Sequence, residues 1–388
     1  MTRSIETADA VVVGGGAMGA SIAYHLAAAG VGRVVLLERE AALGTGSTGR
    51  CAGGFRIQFS SEINVRLSLA SVAMIRRFSD EHGLPLDVDV DGYLFLVRDE
   101  ATWATYRADA TMQRRLGARV QELDARAAEA VVPGLNVDGV VGATFGPDDG
   151  IADPSGLTNG YATAARRHGT AIRLGTQVTA IRTSADGSRV TGVSTPGGDI
   201  DAPIVVNATG VWAPALGATC GLDIPVTPEK RINVVTSDFP GRPERRTLVI
   251  DTTTMFFFHR EGSGVLMGVT PTDRSPTFDT TVNDAWIADE LLPVAVDVLP
   301  GLADAGLARA WAGLYEMTPD HHAILGPVEG LAGLYLANGF SGHGFQHAPI
   351  VGKITAELVT GAPPTVDVSS LRLERFARGE LIVESHVV

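Results

Sequence analysis

Four short stretches carry the side chains able to do chemistry together. Arg56 stands in GGFRIQF, His259 in TMFFFHREGSGVLMG, Tyr315 and Glu316 in WAGLYEMTPD, and His343 and His347 in NGFSGHGFQHAPIVGKITAEL. A guanidinium pairs bidentately with a carboxylate, whereas imidazole, phenol and carboxyl groups hold or move protons. Arg56 could equally serve an ion pair within the protein. In the strand expected around residue 257, Phe256 and Phe258 fall on one face and Met255, Phe257 and His259 on the other. Either face could line a site or an ordinary core. His343 and His347 lie four apart, a metal-ligand spacing on a helix, but the glycines around them and the missing third ligand argue against a metal. His321 and His322 follow a Pro-Asp turn and read as loop or packing residues.

The elements that must position these groups begin with ADAVVVGGGAMGASIAYHLAAAGVGRVVLLERE, residues 8–40. Val11, Val12 and Val13 form a buried parallel strand. Gly14, Gly16 and Gly19 give GxGxxG, with Ala17 and Met18 between the last two. Ile22, Ala23, Leu26 and Ala27 recur at helical spacing, Gly30 ends the helix, and a second strand runs to Glu38. Together these form a dinucleotide site. The glycines admit a tight turn and a pyrophosphate, the helix start offers free N–H groups, and the acid accepts ribose hydroxyls. NAD and FAD fit alike. Arg39 hints at a further phosphate, but adjacent Glu38 would repel one.

Composition narrows the class. The 388 residues are 45% apolar and 19% charged, which suits a large globular core. A net charge of −13 opposes binding to nucleic acid or an anionic membrane. Cys51 and Cys220 form no CxxC pattern. The opening residues lack a signal-peptide layout and no apolar run reaches spanning length, so the expectation is a protein of the reducing cytoplasm. Only two lysines, Lys230 and Lys353, are present.

Four segments in order, GSTGRCAGGFRIQF, VVNATGVWA, WAGLYEMTPDHHAILG and GFSGHGFQHAP, decide between the cofactors. With them the chain resembles, over nearly its whole length, the flavin-dependent amine and amino acid oxidoreductases typified by D-amino acid oxidase, glycine oxidase and sarcosine oxidase. Within these it is most similar to the sarcosine oxidase β-subunit and proline dehydrogenase β-subunit group. The resemblance implies an α/β Rossmann-like FAD-binding domain (1–85, 148–220 and 320–388). Interleaved with it is an α+β substrate domain built on an antiparallel sheet (86–147 and 221–319), with helices around 100–117 and 284–298.

The same resemblance implies residue roles. Gly14, Gly16, Ala17, Met18 and Gly19 hold the pyrophosphate, and Glu38 and Arg39 lie at the adenosine ribose. Ser47 and Thr48, with Arg50 and Gly53 nearby, meet the phosphates or ribityl chain. Val178 touches adenine through its backbone, and Ala208 and Gly210 line the cofactor. Gly342, His343, Gly344, Phe345 and Gln346 run along the pyrimidine side of the ring. A helix follows, with Pro349 in its first turn, and its start contributes roughly 0.3–2 kcal/mol towards a nearby anion. Tyr315, Arg56, His259 and Glu316 form the catalytic set, and no metal is implied.

The activity implied is oxidation of a C–N bond in an amino acid or secondary amine by hydride transfer to flavin N5. An amine of pKa ~10 must first lose a proton, at a cost of roughly 4 kcal/mol at neutral pH, so the site must favour the neutral amine. Oxidation of a 2-hydroxy acid, or service as the flavin-carrying subunit of a larger dehydrogenase, stays open. Oxygen or another acceptor then takes the electrons. Relatives that activate oxygen with lysine have Leu266 and Gln346 at the matching places here. Relatives that link flavin covalently have a side chain where this chain has Gly313, and Pro154 stands near a second linkage position. FAD is therefore expected to be noncovalent. Acid precipitation should release yellow FAD into the supernatant, and flavin left on the washed pellet would contradict this.

Overall fold

The computed structural model describes residues 6–386. The glycine-turn unit forms as its periodicity demands. Strand Ala10–Val13, helix Ala17–Ala28 and strand Val34–Leu37 fold together, and the two strands pair in parallel with Val11 opposite Val35. Every residue of both strands is buried, as expected for a sheet covered on both faces. Across the six-stranded sheet the order is 171–173, 34–37, 10–13, 205–207, 334–338 and 324–327. The last pairing alone is antiparallel.

Helix Ala17–Ala28 packs between Pro154–Arg167 and Gly344–Thr360. Its close seat on the sheet depends on Gly19, where a Cβ would lie 1.8 Å from the Gly14 carbonyl oxygen. A smaller four-stranded sheet and the helix Ala213–Ala218 supply apolar cover around Val193, Ile200 and Leu216.

The second large sheet has eight strands, in the order 307–317, 227–236, 264–268, 256–261, 248–251, 93–97, 142–146 and 121–123. Its pairings are antiparallel except that Leu248–Asp251 runs parallel to Tyr93–Val97. The expected helices are present at Glu100–Arg115 and across 284–298. The second contains a wide turn at Ile287–Leu291, just before Pro293, which supplies no N–H to the ladder. Phe256 and Phe258 pack into the core with Ile287, Leu291 and Ala295, so the opposite face of their strand is the one free to line a site. Met255 precedes that strand, in a left-handed conformation at φ 58°.

Ser61 is a helix-capping residue type at the cap position of Glu62–His82, yet its hydroxyl donates to Glu384 and makes no cap bond. A second helix start differs from expectation. The helix after the glycine-rich loop begins at Gly344, which places Pro349 inside it and not in its first turn. There the Ser71 hydroxyl donates to the Gln346 carbonyl at 2.5 Å, beside the stretch of ladder that the proline interrupts.

Candidate active site

One end of the candidate site is a glycine-lined groove. Gly16 caps the helix Ala17–Ala28 without any side-chain bond, so its first-turn amides are open to an anion. The Ala17 amide meets only the Thr48 hydroxyl, at 3.1 Å. Met18 lies in the same turn and is partly buried. Glu38 projects to the mouth of this turn, where its carboxylate accepts from the Gly15 amide at 2.6 Å and the Glu40 amide at 2.8 Å. Arg39 stacks 3.9 Å from the Trp212 ring centre. Arg39 and Glu40 border an open hollow lined opposite by Gly175, Thr176 and Gln177. Val178 follows this wall with its side chain packed towards the core. Ala208 and Gly210 flank the turn from the adjacent strand end, and Gly210 has φ 59°.

The loop after Gly44 is braced against the eight-stranded sheet. The Ser47 hydroxyl donates to the Leu314 carbonyl at 2.6 Å, and the Arg50 guanidinium to the Ala312 carbonyl at 2.9 Å. Each of these side chains thus has a protein partner of its own. A Cβ at Gly313 would lie 3.0 Å from the Arg50 Cβ, so a side chain there would require Arg50 to give way by a few tenths of an ångström.

The second region is a cleft partly open to solvent. It brings together Gly53, Arg56, Tyr315, Gly342, His343, Phe345 and Gln346, as the sequence leads one to expect. The loop 341–343 crosses the Tyr315 ring so closely that a Cβ on Gly342 would lie 2.3 Å from it. The other face of that ring carries the Arg231 guanidinium, 4.7 Å from its centre. Burial raises the Tyr315 phenol above its ordinary pKa.

Arg56 is 7% exposed. Its guanidinium lies 4.4 Å over Phe59 and 5.2 Å from Phe95. Nη2 donates to the His386 carbonyl, and Nη1 is buried with no hydrogen-bond partner among the described residues. No carboxylate among those residues forms a salt bridge with it, which removes the internal ion pair as its role. A buried guanidinium donor left unsatisfied by the described residues is costly, and an anionic ligand is the chemistry that would satisfy it.

Three expected roles change. Gln346 spends its amide on protein groups. Its oxygen accepts from the Arg56 amide at 2.9 Å, and its nitrogen donates to the Arg56 carbonyl and the Ser68 hydroxyl, each at 3.0 Å. His259 is fully buried behind the cleft wall, with Nδ1 2.8 Å from the Arg260 carbonyl and Nε2 3.1 Å from the Ala52 carbonyl. It supports the wall and does not face substrate. Glu316 accepts from the Gly339 amide at 2.8 Å and lies 3.8 Å and 3.5 Å from where Cβ atoms on Gly210 and Gly344 would stand. It borders the cofactor groove outside the cleft, and burial pushes its carboxyl up to about 7.

His343 lines the cleft with Nε2 buried and unpartnered among the described residues. Burial, with the nearby His347, His322 and Arg56, holds it well below the ordinary histidine range, so the ring is neutral at pH 7. His347 bonds Ser68 at 2.9 Å, and burial lowers it to about 3. Leu266, at the matching place for an activating lysine, is buried opposite His259 in the strand pair.

A family profile described as DAO, FAD dependent oxidoreductase, matches residues 9–358. The chain belongs to this family of FAD-dependent oxidoreductases. It is 30% identical to FAD-dependent oxidoreductase domain-containing protein 1 of Xenopus laevis, over 99% of this chain and 85% of that protein. It is 29% identical to human mitochondrial sarcosine dehydrogenase over 96% of this chain and 42% of that longer protein. L-proline dehydrogenase from P. horikoshii superposes with a TM-score of 0.91 and 33% identity, covering 98% of this chain and 100% of that one. FAD is the cofactor of the family, and the residues present fit it. The uncapped helix start suits a pyrophosphate, Glu38 a ribose, and the glycine-lined path to Gly342 a flat ring.

The sequence alone does not place Tyr93, Leu248 or Ile250 at the site, yet they line the cleft with Phe257. One signal existed. A Cβ on Gly54 would lie 1.8 Å from the Tyr93 hydroxyl, and paired glycines in AGGF announce such an approach without naming the partner. Replacing Glu38 by Ala should weaken FAD by 1.5–3 kcal/mol, about 10- to 150-fold in Kd. Flavin fluorescence titration measures this, with apo-protein melting as the control for the lost Gly15 and Glu40 contacts. An unchanged Kd would refute the ribose assignment.

Proposed function

We propose that this chain oxidises the C–N bond of a carboxylate-bearing secondary amine or amino acid, of the kind exemplified by proline or sarcosine, to the imine. The observation that carries the reading is Arg56, which lines the cleft and whose buried Nη1 has no hydrogen-bond partner among the described residues. Bound FAD supplies the hydride acceptor. Arg56 would take the substrate carboxylate and fix its orientation. Phe257, Leu248, Ile250 and Phe345 would exclude water from the carbon that loses hydride. Their apolar surface, together with the Arg56 charge, disfavours a second positive charge and so lowers the pKa of the bound amine. His343 is too weak a base to draw this proton efficiently, so the cleft acts by favouring the neutral amine from the outset. The names of the proline and sarcosine dehydrogenases similar to this chain support the same substrate class.

Anaerobic mixing with candidate substrates tests the proposal through loss of the flavin absorbance. N-alkyl amino acids or proline should bleach the flavin at least tenfold more efficiently than the same amines lacking a carboxylate. Bleaching by 2-hydroxy acids alone, or equal efficiency with and without the carboxylate, would overturn it.

A further inference from the structure

We propose that the segment 381–386 is a strap that positions Arg56 for the substrate carboxylate, with Glu384 as its fastening and the His386 carbonyl as its point of action. The inference rests on the reading of Arg56 given above. Within the segment, Glu384 and His386 are 2% and 3% exposed, whereas Val383 is 78% exposed. This alternation is that of an extended chain laid on a surface, yet the segment belongs to no sheet. Side chains must therefore hold it.

Glu384 does most of this. Its carboxylate accepts from the Ser60 amide at 2.8 Å and hydroxyl at 2.6 Å, from the Ser61 amide at 3.2 Å and hydroxyl at 2.9 Å, and from Asn64 at 3.1 Å. The His386 amide adds a further contact at 3.1 Å. The Ser385 amide donates to the Ser60 hydroxyl at 2.9 Å. The His386 ring stacks on Tyr106 at 4.2 Å, with Nε2 3.0 Å from the Asp109 carboxylate. These anchors place the His386 carbonyl on Arg56 Nη2.

The choice of acceptor is informative. A carbonyl orients a guanidinium without neutralising it, whereas a carboxylate would cancel the charge that recruits substrate. Glu384 is close in sequence to that carbonyl, but its oxygens are consumed by Ser60, Ser61 and Asn64. Gln346 fixes the Arg56 backbone from the other side through two hydrogen bonds. The rotamer of Arg56 is thus set by the strap while its charge is left for a ligand. Glu384 and His386 are positioning residues and touch no reacting atom.

The test uses the FAD-loaded protein and two variants, Glu384→Ala and His386→Ala; the second keeps the Glu384 anchor should the first fold poorly. Pyrrole-2-carboxylate serves as a carboxylate that resists oxidation, its Kd read from the visible spectrum of the bound flavin. The expected result is a Kd raised tenfold or more in either folded variant, with KM for the amino acid raised in step. The limiting rate of flavin reduction should stay within twofold, and the same amine lacking a carboxylate should react unchanged. An unaltered Kd in a folded variant overturns the strap while leaving the role of Arg56 intact. A loss of rate without a change in KM also overturns it. If the wild-type protein itself shows no carboxylate preference, the reading of Arg56 fails and the strap with it.

Discussion

Burying a guanidinium without an opposing carboxylate is costly, and much of the cleft is arranged around that cost at Arg56. Aromatic faces from Phe59 and Phe95 replace part of its lost solvation. Gln346 holds its backbone and the His386 carbonyl holds one amino group. The neighbouring histidines stay neutral because burial and the same positive charge disfavour protonation. One buried cation therefore weighs on the electrostatics of the cleft, and its Nη1 stays unpaired among the described residues.

The cofactor side obeys a different constraint, that backbone must come close to a large ligand and to itself. Glycines at the first turn let a helix sit on a strand with its amides open. Gly342 lets the distant loop cross Tyr315. The loop carrying Ser47 and Arg50 spends its polar side chains on the eight-stranded sheet, which locks the wall of the groove to the wall of the cleft. The two regions are consequently one rigid site: a shift of the strand 307–317 would move Tyr315, the Ser47 loop and Glu316 together.

What the sequence revealed follows from the range of the forces involved. The strand-turn-helix unit was legible because its signals lie within about thirty residues and agree with one another. Arg56, Tyr315 and His343 were placed in the site by motif, and they do converge in the cleft. Gln346 and His259 were misjudged because nearby backbone groups claim their polar atoms, a competition that spacing does not reveal. Glu316, a catalytic candidate by its place after Tyr315, instead accepts from the Gly339 amide and lies beside Gly210 and Gly344. Ser61 shows the same limit, since Glu384, more than 300 residues away, takes the hydroxyl that local pattern assigned to a helix cap. Tyr93, Leu248 and Ile250 reach the cleft through a parallel strand pairing that joins residues some 155 apart, and no local pattern encodes it.

The central claim is that Arg56 recognises a substrate carboxylate, and a thermodynamic cycle tests it most directly. Binding of proline and of pyrrolidine would be compared in the wild-type protein and in Arg56→Leu, using the substrate dependence of anaerobic flavin reduction. The comparison cancels any general disturbance caused by releasing the His386 carbonyl, because both ligands experience it. The account predicts a coupling of at least about 2 kcal/mol, or roughly 30-fold, between the guanidinium and the carboxylate. A coupling near zero would contradict it and would mean that the unpaired amino group serves something other than substrate.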